Sequence, residues 1–193
     1  LVCVDYYGFN RRVLPLAQKA GIPAFYFVSP QVWASRPGRV KVLKRLVHKM
    51  LVIFPFEEKL YREAGVPVEF VGHPLLDLIP EPGQRTPDPQ ALIVGLLPGS
   101  RASELKRHIP VFYEAFRLLR QTRPGMRGLV FASPNQPDSA YGRLPEGVEI
   151  VRESDYQRRA ALDLAICSSG TATLENSLLG VPMVVVYKLS WPT

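Results

Sequence analysis

The stretch Leu92-Ile93-Val94-Gly95-Leu96-Leu97-Pro98-Gly99-Ser100-Arg101 decides the architecture. Its first six residues form an apolar run too short for a helix, and Pro98-Gly99 stops it, so Leu92–Leu97 reads as a buried strand. The residues that follow predict a long helix within Ser103–Thr122. A strand, a glycine turn and a helix make the opening half of a β-α-β unit. Toward the carboxyl end the alternation continues, with strands expected at Gly128–Ala132, Val148–Val151, Leu164–Cys167 and Met183–Tyr187. Helices are expected near Tyr156–Leu162 and over Thr171–Leu179. Toward the amino end, strands are expected at Val2–Asp5, Ala24–Val28, Leu51–Phe54 and Val68–Val71. The helices there are Arg11–Ala20, Arg39–Lys49 and Phe56–Ala64. Such repetition predicts parallel sheets covered by helices on both faces.

Between the two runs the texture changes. From His73 to Gln90 the chain carries Pro74, Pro80, Pro82, Pro87, Pro89 and Gly83. Proline fixes φ and removes a donor, so neither helix nor central strand is expected there. The fold class is therefore α/β, with two Rossmann-like domains. An amino-terminal domain occupies 1–74, a proline-rich linker 75–90 and a carboxyl-terminal domain 91–193. Two such domains about a hinge place a ligand in the cleft, at the carboxyl ends of the strands. The chain starts inside a strand and stops just after one, so both domains are expected to be incomplete.

Composition narrows the function classes. With 47% hydrophobic and 21% charged residues among 193, the chain buries an ordinary core. Its longest apolar runs are far below the roughly 20 residues a membrane span needs. No basic leader of a secretory signal opens the chain. Cys3 and Cys167 each sit in or beside an apolar run and read as reduced core residues of a cytosolic protein. Three scattered histidines give no metal-ligand spacing, and no metal or cofactor is expected. A net charge of +7 favours anionic partners. No nucleic-acid reader motif or stacking platform accompanies it, so nucleic acid is not expected among them.

Two turns in the second half carry chemistry. Leu96–Arg101 is a strand end, a glycine turn and a basic residue before a helix. Ser168-Ser169-Gly170-Thr171-Ala172-Thr173-Leu174-Glu175 is a strand end, a small-residue turn and a helix start. Each is expected to offer backbone N–H groups to an anion at a helix N-terminus. Gly99 and Gly170 let backbone approach phosphate oxygens without a Cβ in the way. Arg101 is placed to add a bidentate contact to a diphosphate, and Glu175 to accept both hydroxyls of a ribose. Either turn alone also reads as an ordinary helix start. Two in one domain favour a nucleotide site built from Gly99, Ser100, Arg101, Ser169, Gly170, Thr171, Ala172 and Glu175.

Five segments carry a resemblance. They are Tyr26-Phe27-Val28-Ser29-Pro30-Gln31-Val32-Trp33-Ala34, Phe54-Pro55-Phe56-Glu57, Val71-Gly72-His73-Pro74-Leu75-Leu76-Asp77, Leu96–Arg101 and Ser169–Glu175. In this order they resemble the lipid-A-disaccharide synthases, which are two-Rossmann-domain (GT-B) glycosyltransferases. The resemblance covers about half of a full-length enzyme; the family's amino-terminal glycine-rich motif and carboxyl-terminal part are absent. It implies metal-free, inverting transfer of 2,3-diacylglucosamine from UDP to the 6-hydroxyl of 2,3-diacylglucosamine 1-phosphate (lipid X), forming a β-1,6 disaccharide. It also implies a homodimer for a full-length chain and a peripheral place on the cytoplasmic face of a bacterial inner membrane.

Inversion by single displacement needs a base on the acceptor hydroxyl and a stabiliser of the departing diphosphate. The resemblance puts Asp5 in the first role; its other reading is a strand-end cap. Arg101 takes the second role. Asn10 either caps the following helix or touches the acceptor. Ser29 and Gln31 are candidate polar contacts to acceptor sugar or phosphate. Trp33 either lines the acceptor pocket or packs beneath the next helix, and His73 either borders the cleft or is a hydrogen-bonded junction residue. The basic stretch Arg36–Lys49 is either a solvated helix face or a contact to anionic headgroups or to the acceptor phosphate. The competing function is another GT-B UDP-N-acetylglucosamine transferase or a sugar-nucleotide epimerase.

Overall fold

The computed structural model describes residues 1–33, 38–82, 88 and 91–188. Each expected strand is present, displaced by at most two residues at its ends. The chain divides into two units, Leu1–Asp77 and Leu78–Thr193. In the first, strands β1 (Val2–Val4), β2 (Phe25–Phe27), β3 (Lys49–Val52) and β4 (Val68–Phe70) form one parallel sheet in the order 1-2-3-4. Helices α1 (Tyr7–Lys19), α2 (Arg39–Leu46) and α3 (Pro55–Glu63) make the crossovers. The buried residues Cys3, Tyr26, Met50 and Val52 face Leu14 of α1, Leu43 of α2 and Tyr61 of α3. Parallel strands need such crossovers because consecutive carboxyl and amino ends lie on opposite edges of the sheet.

The second unit holds five parallel strands: β5 (Ile93–Leu97), β6 (Arg127–Ala132), β7 (Val148–Arg152), β8 (Leu164–Ser168) and β9 (Met183–Val186). Their spatial order is 7-6-5-8-9. The long helix α5 (Ala102–Thr122) covers one face, where Leu105, Phe112 and Phe116 meet Val94, Leu96, Val130 and Ile166. Full burial of each such aromatic contributes about 1.5–3 kcal/mol. On the opposite face, Leu97, Phe131, Ala165 and Cys167 pack with Leu162, Leu179 and Val181. Successive residues of one strand thus feed two cores, which explains the near-continuous apolar runs. Cys3 and Cys167 are free and buried.

Three expectations need correction. Helix α2 ends at Leu46, and Lys49 joins β3, because the His48 N–H bonds the Ala24 carbonyl and Lys49 pairs with Phe25. The apolar period continues past Leu46, but sheet pairing overrides it. Helix α1 starts at Tyr7 rather than Arg11, directly after a left-handed kink at Asp5 and Tyr6. A one-turn helix α4 (Leu75–Leu78) occupies part of the proline-rich stretch. Pro74 stands just before it, where a missing N–H costs nothing, and Pro80 just beyond it. Arg36, Gly83, Pro87, Pro89 and Gln90 lie outside the described residues. Among those described, no helix is long and apolar enough to cross a membrane.

Candidate functional site

In the second unit, β5 and β8 lie side by side, with Leu97 paired to Cys167. After β5 the chain proceeds outward to β6 on one side, while β8 is followed by β9 on the other. This is a topological switch point, where the two following loops part and leave a crevice at the strands' carboxyl ends. The Pro98–Arg101 turn and the Ser169–Ala172 turn are those loops. Both line one cavity of about 340 Å³, with Gly99, Ser100, Arg101, Ser169, Gly170, Thr171 and Ala172 on its wall.

The two turns are not equivalent. Helix α6 (Tyr156–Ala160) precedes β8, and helix α7 (Thr171–Leu178) begins at Gly170 with no side chain capping it. Space beside Gly170 is open, since an added Cβ meets nothing within 4 Å. The Thr171 and Ala172 N–H groups lie in the uncapped first turn, beside the cavity. At the other turn, Glu104 Oε2 accepts from the N–H groups of Ser100 (3.2 Å) and Arg101 (3.3 Å). Its Oε1 accepts from the Arg101 guanidinium at 2.9 Å. The expectation that both turns offer free donors is therefore corrected: Glu104 is an internal anion on the first. Gly99, at φ +112°, makes room for that carboxylate, because a Cβ there would stand 2.6 Å from Glu104 Oε2. Burial opposes ionisation of Glu104, but the hydrogen bonds from Arg101 and Ser100 outweigh it and hold its pKa below the ordinary value.

Glu175 is buried beneath the second turn and does not line the cavity. Its Oε2 accepts from Arg159 Nη1 at 2.6 Å and its Oε1 from the Tyr156 hydroxyl at 2.9 Å. A carboxylate has roughly four acceptor positions, so room for a further donor remains. Arg159 is wholly buried; its Nε bonds Asn176 Oδ1 at 2.7 Å and its Nη2 the Ala172 carbonyl at 2.8 Å. One guanidinium thus ties Glu175 to the turn. His108, also buried, donates from Nδ1 to the Pro98 carbonyl at 2.7 Å while Nε2 accepts the Lys188 N–H. Glu153 and Ser133 also line the cavity. Burial, with Glu175 nearby, pushes the Glu153 carboxyl up. The sequence reading missed Arg159, His108, Glu153 and Glu104. Only Glu104 left a signal, its spacing of three residues after a helix-starting position.

In the first unit, Asp5 directly follows β1, exposed, at φ +43°, followed by Tyr6 at +31°; Val28 after β2 stands at +59°. Positive φ at a β-branched residue is strained and persists only where surroundings impose it. Asn10 constrains the Asp5–Tyr6 kink. It is buried within α1, and its amide nitrogen donates to the Val4 (3.2 Å) and Asp5 (2.6 Å) carbonyls. It is therefore not the helix cap, and its amide hydrogens are used on the kink. The Tyr26 hydroxyl also donates to the Asp5 carbonyl. The Asp5 side chain is left facing a cavity of about 500 Å³ shared with Ser29, Gln31, Arg39, Phe54 and Glu57.

Ser29 is buried and donates to Glu57 Oε1 at 2.6 Å, while Glu57 Oε2 accepts the Phe54 N–H. Gln31 is exposed on the same wall. Trp33 and His73 do not line it. Trp33 is half exposed and meets Phe56 edge-on at 5.3 Å. The His73 Nδ1 accepts the Leu75 N–H at 3.1 Å, making it the cap of α4. Among the described residues, no group of three or more His, Cys, Asp or Glu is placed to hold a metal ion.

A pair of parallel-sheet α/β units, the second with a crevice at its switch point, is the two-Rossmann-domain (GT-B) architecture. Solved structures agree on the fold. A UDP-GlcNAc 2-epimerase from Neisseria meningitidis bound to UDP-GlcNAc superposes with a TM-score of 0.60 at 9% identity, covering 98% of this chain and 59% of that one. The kitacinnamycin glycosyltransferase gives 0.53 at 20% identity, covering 93% and 56%. The lipid-A-disaccharide synthetase family model matches residues 1–192, and the chain belongs to that family. The lipid-A-disaccharide synthase of Trichlorobacter lovleyi is 44% identical over 201 residues, covering 98% of this chain and 52% of that protein. The chain spans about half the length of the curated relatives it matches.

Proposed function

We propose that the chain supplies the acceptor-side base and the UDP-diphosphate cradle of a lipid-A-disaccharide synthase. The observation that carries this is the switch-point cavity, in which the Gly99–Arg101 and Ser169–Ala172 turns face one another across a volume suited to a pyrophosphate. The Thr171 and Ala172 N–H groups and the α7 dipole receive diphosphate oxygens. Arg101, whose side chain is 79% exposed, swings from Glu104 to the same group and neutralises charge as the sugar departs. Glu175, outside the diphosphate cavity and held by Arg159 and Tyr156, receives ribose hydroxyls through the 7% of its surface that stays exposed.

In the first unit, Asp5 takes the proton of the acceptor's 6-hydroxyl as that oxygen attacks the anomeric carbon. Single displacement inverts the configuration and gives the β-1,6 link. Asn10 and Tyr26 act by holding the backbone kink that aims Asp5 into its cavity. The donor is UDP-2,3-diacylglucosamine and the acceptor lipid X. The basic face of α2, bearing Lys41, Lys44 and Arg45, meets the anionic cytoplasmic leaflet, and a full-length chain is a homodimer. The test is to incubate a full-length protein carrying this sequence with both lipids. Disaccharide and UDP are expected in equal amounts. Free UDP with an epimerised monosaccharide, or no disaccharide, overturns the reading.

A further inference from the structure

Beside the Asp5 cavity lies a larger one of about 730 Å³, whose wall includes Tyr6, Tyr7, Phe9, Arg11, Arg12 and Arg39. The two cavities share Tyr6, Tyr7, Gly8 and Arg39 in their walls, so they adjoin. Asp5 lines the smaller cavity alone, and Arg11 and Arg12 the larger cavity alone. Among the described residues, three guanidinium groups and no carboxylate line the larger cavity. Nor does any of the three make an ion pair among the described residues. The first turns of α1 and α2 that border it contain no acid either. Like charges crowded in a concave wall repel, and a concave wall focuses their field on whatever enters.

Arg39 is also oriented. Its guanidinium carbon stands 4.5 Å from the centroid of the Tyr7 ring. Stacking on the ring fixes the guanidinium plane and leaves its edge N–H groups to fork onto a phosphate. Between the arginines stand exposed rings, Tyr6 at 73% and Phe9 at 60% exposure. Cations interleaved with apolar ring faces suit a dianion borne on a sugar ring, whose C–H face packs on aromatics. A flat array of headgroups would be met by a convex surface; a hollow of this size takes a single molecule.

We propose that Arg39, flanked by Arg11 and Arg12, binds a phosphomonoester on the molecule whose hydroxyl faces Asp5. The phosphate then fixes which end of the acceptor enters. The proposal rests on reading the first unit as the acceptor site, but its test needs no transfer. Glucosamine 1-phosphate is titrated into the 193-residue chain and followed by backbone amide shifts. Glucosamine, phosphatidylglycerol vesicles and UDP are titrated separately. Glucosamine 1-phosphate is expected to shift Tyr7–Arg12 and Gly38–Val40, and glucosamine to bind far more weakly.

Arg39→Ala, and separately Arg11→Ala with Arg12→Ala, should each weaken the sugar phosphate on the order of tenfold to a hundredfold. Arg39→Lys should recover only part of the loss, since an ammonium neither forks nor stacks. UDP shifts at Ser169–Ala172 stay as in the parent, and amide shifts of β1–β4 that match the parent before titration show that the first unit of each variant folds. Equal affinity of parent and Arg39→Ala, or of glucosamine and its phosphate, overturns the proposal. So does a loss confined to vesicle binding. Were UDP to bind nowhere while the sugar phosphate bound at Arg39, the donor reading would fall and this one would stand.

Discussion

Replacing Arg159 by alanine tests the claim that one buried guanidinium organises the nucleotide turn. The side chain is wholly buried and makes three hydrogen bonds, to Glu175, Asn176 and the Ala172 carbonyl. Truncation leaves a carboxylate only 7% exposed without its countercharge, and breaking one partner from a buried pair costs about 3–5 kcal/mol. That is a large share of the roughly 5–15 kcal/mol that stabilises a domain. Native-state hydrogen exchange at the amides of β8 reads the second unit separately from the first. Protection there should fall by between about a hundredfold and a few thousandfold. Replacing both partners, with Arg159→Met and Glu175→Gln, removes charge from each side and should cost less than Arg159→Ala alone. A fall in protection below tenfold, or a double variant as damaged as the sum of its parts, would refute the reasoning.

Asp5→Asn in a full-length protein should lower turnover by about 10²–10⁴ while UDP affinity stays constant; an unchanged rate removes Asp5 from the mechanism. Glu153→Gln removes a carboxylate from the diphosphate cavity and should tighten UDP on the order of tenfold by calorimetry; no change would mean the diphosphate lies elsewhere. The Glu104 pKa is lowered in the folded state, so its contribution to stability is full above an ordinary glutamate pKa of 4.5 and fades as pH falls through the lowered value. Glu104→Gln should flatten the acid limb of the stability curve below about pH 4.5, and an unaltered limb would contradict the internal-anion role.

Much of the fold was legible because each βα unit repeats one local pattern: an apolar run, a glycine or proline stop, and a helix. Leu92–Arg101 shows it plainly, and its partner strand Leu164–Ser168 follows the same rule. Sequence pattern misplaced α2's end, because pairing of Lys49 with Phe25 is a long-range contact that local periodicity does not encode. The left-handed kink at Asp5 was equally hidden: neither Asp5 nor Tyr6 is a glycine, and Asn10 and Tyr26 hold the kink from elsewhere in the chain. The two turns of the nucleotide cavity were visible as small-residue helix starts. That Glu104 already fills one of them was not read from the segment, although its spacing matched a capping pattern. Nothing in Gln157-Arg158-Arg159 distinguishes Arg159 from its neighbour, and only the fold turns it inward beneath Ala172.

Titrating UDP into the 193-residue chain, with amide shifts followed residue by residue, addresses the switch-point cavity most directly. The largest shifts should fall at Gly170, Thr171 and Ala172, with Ser100 and Arg101 moving as Glu104 yields its hold. Shifts confined to the first unit, or saturable binding that leaves both turns unmoved, would contradict the account.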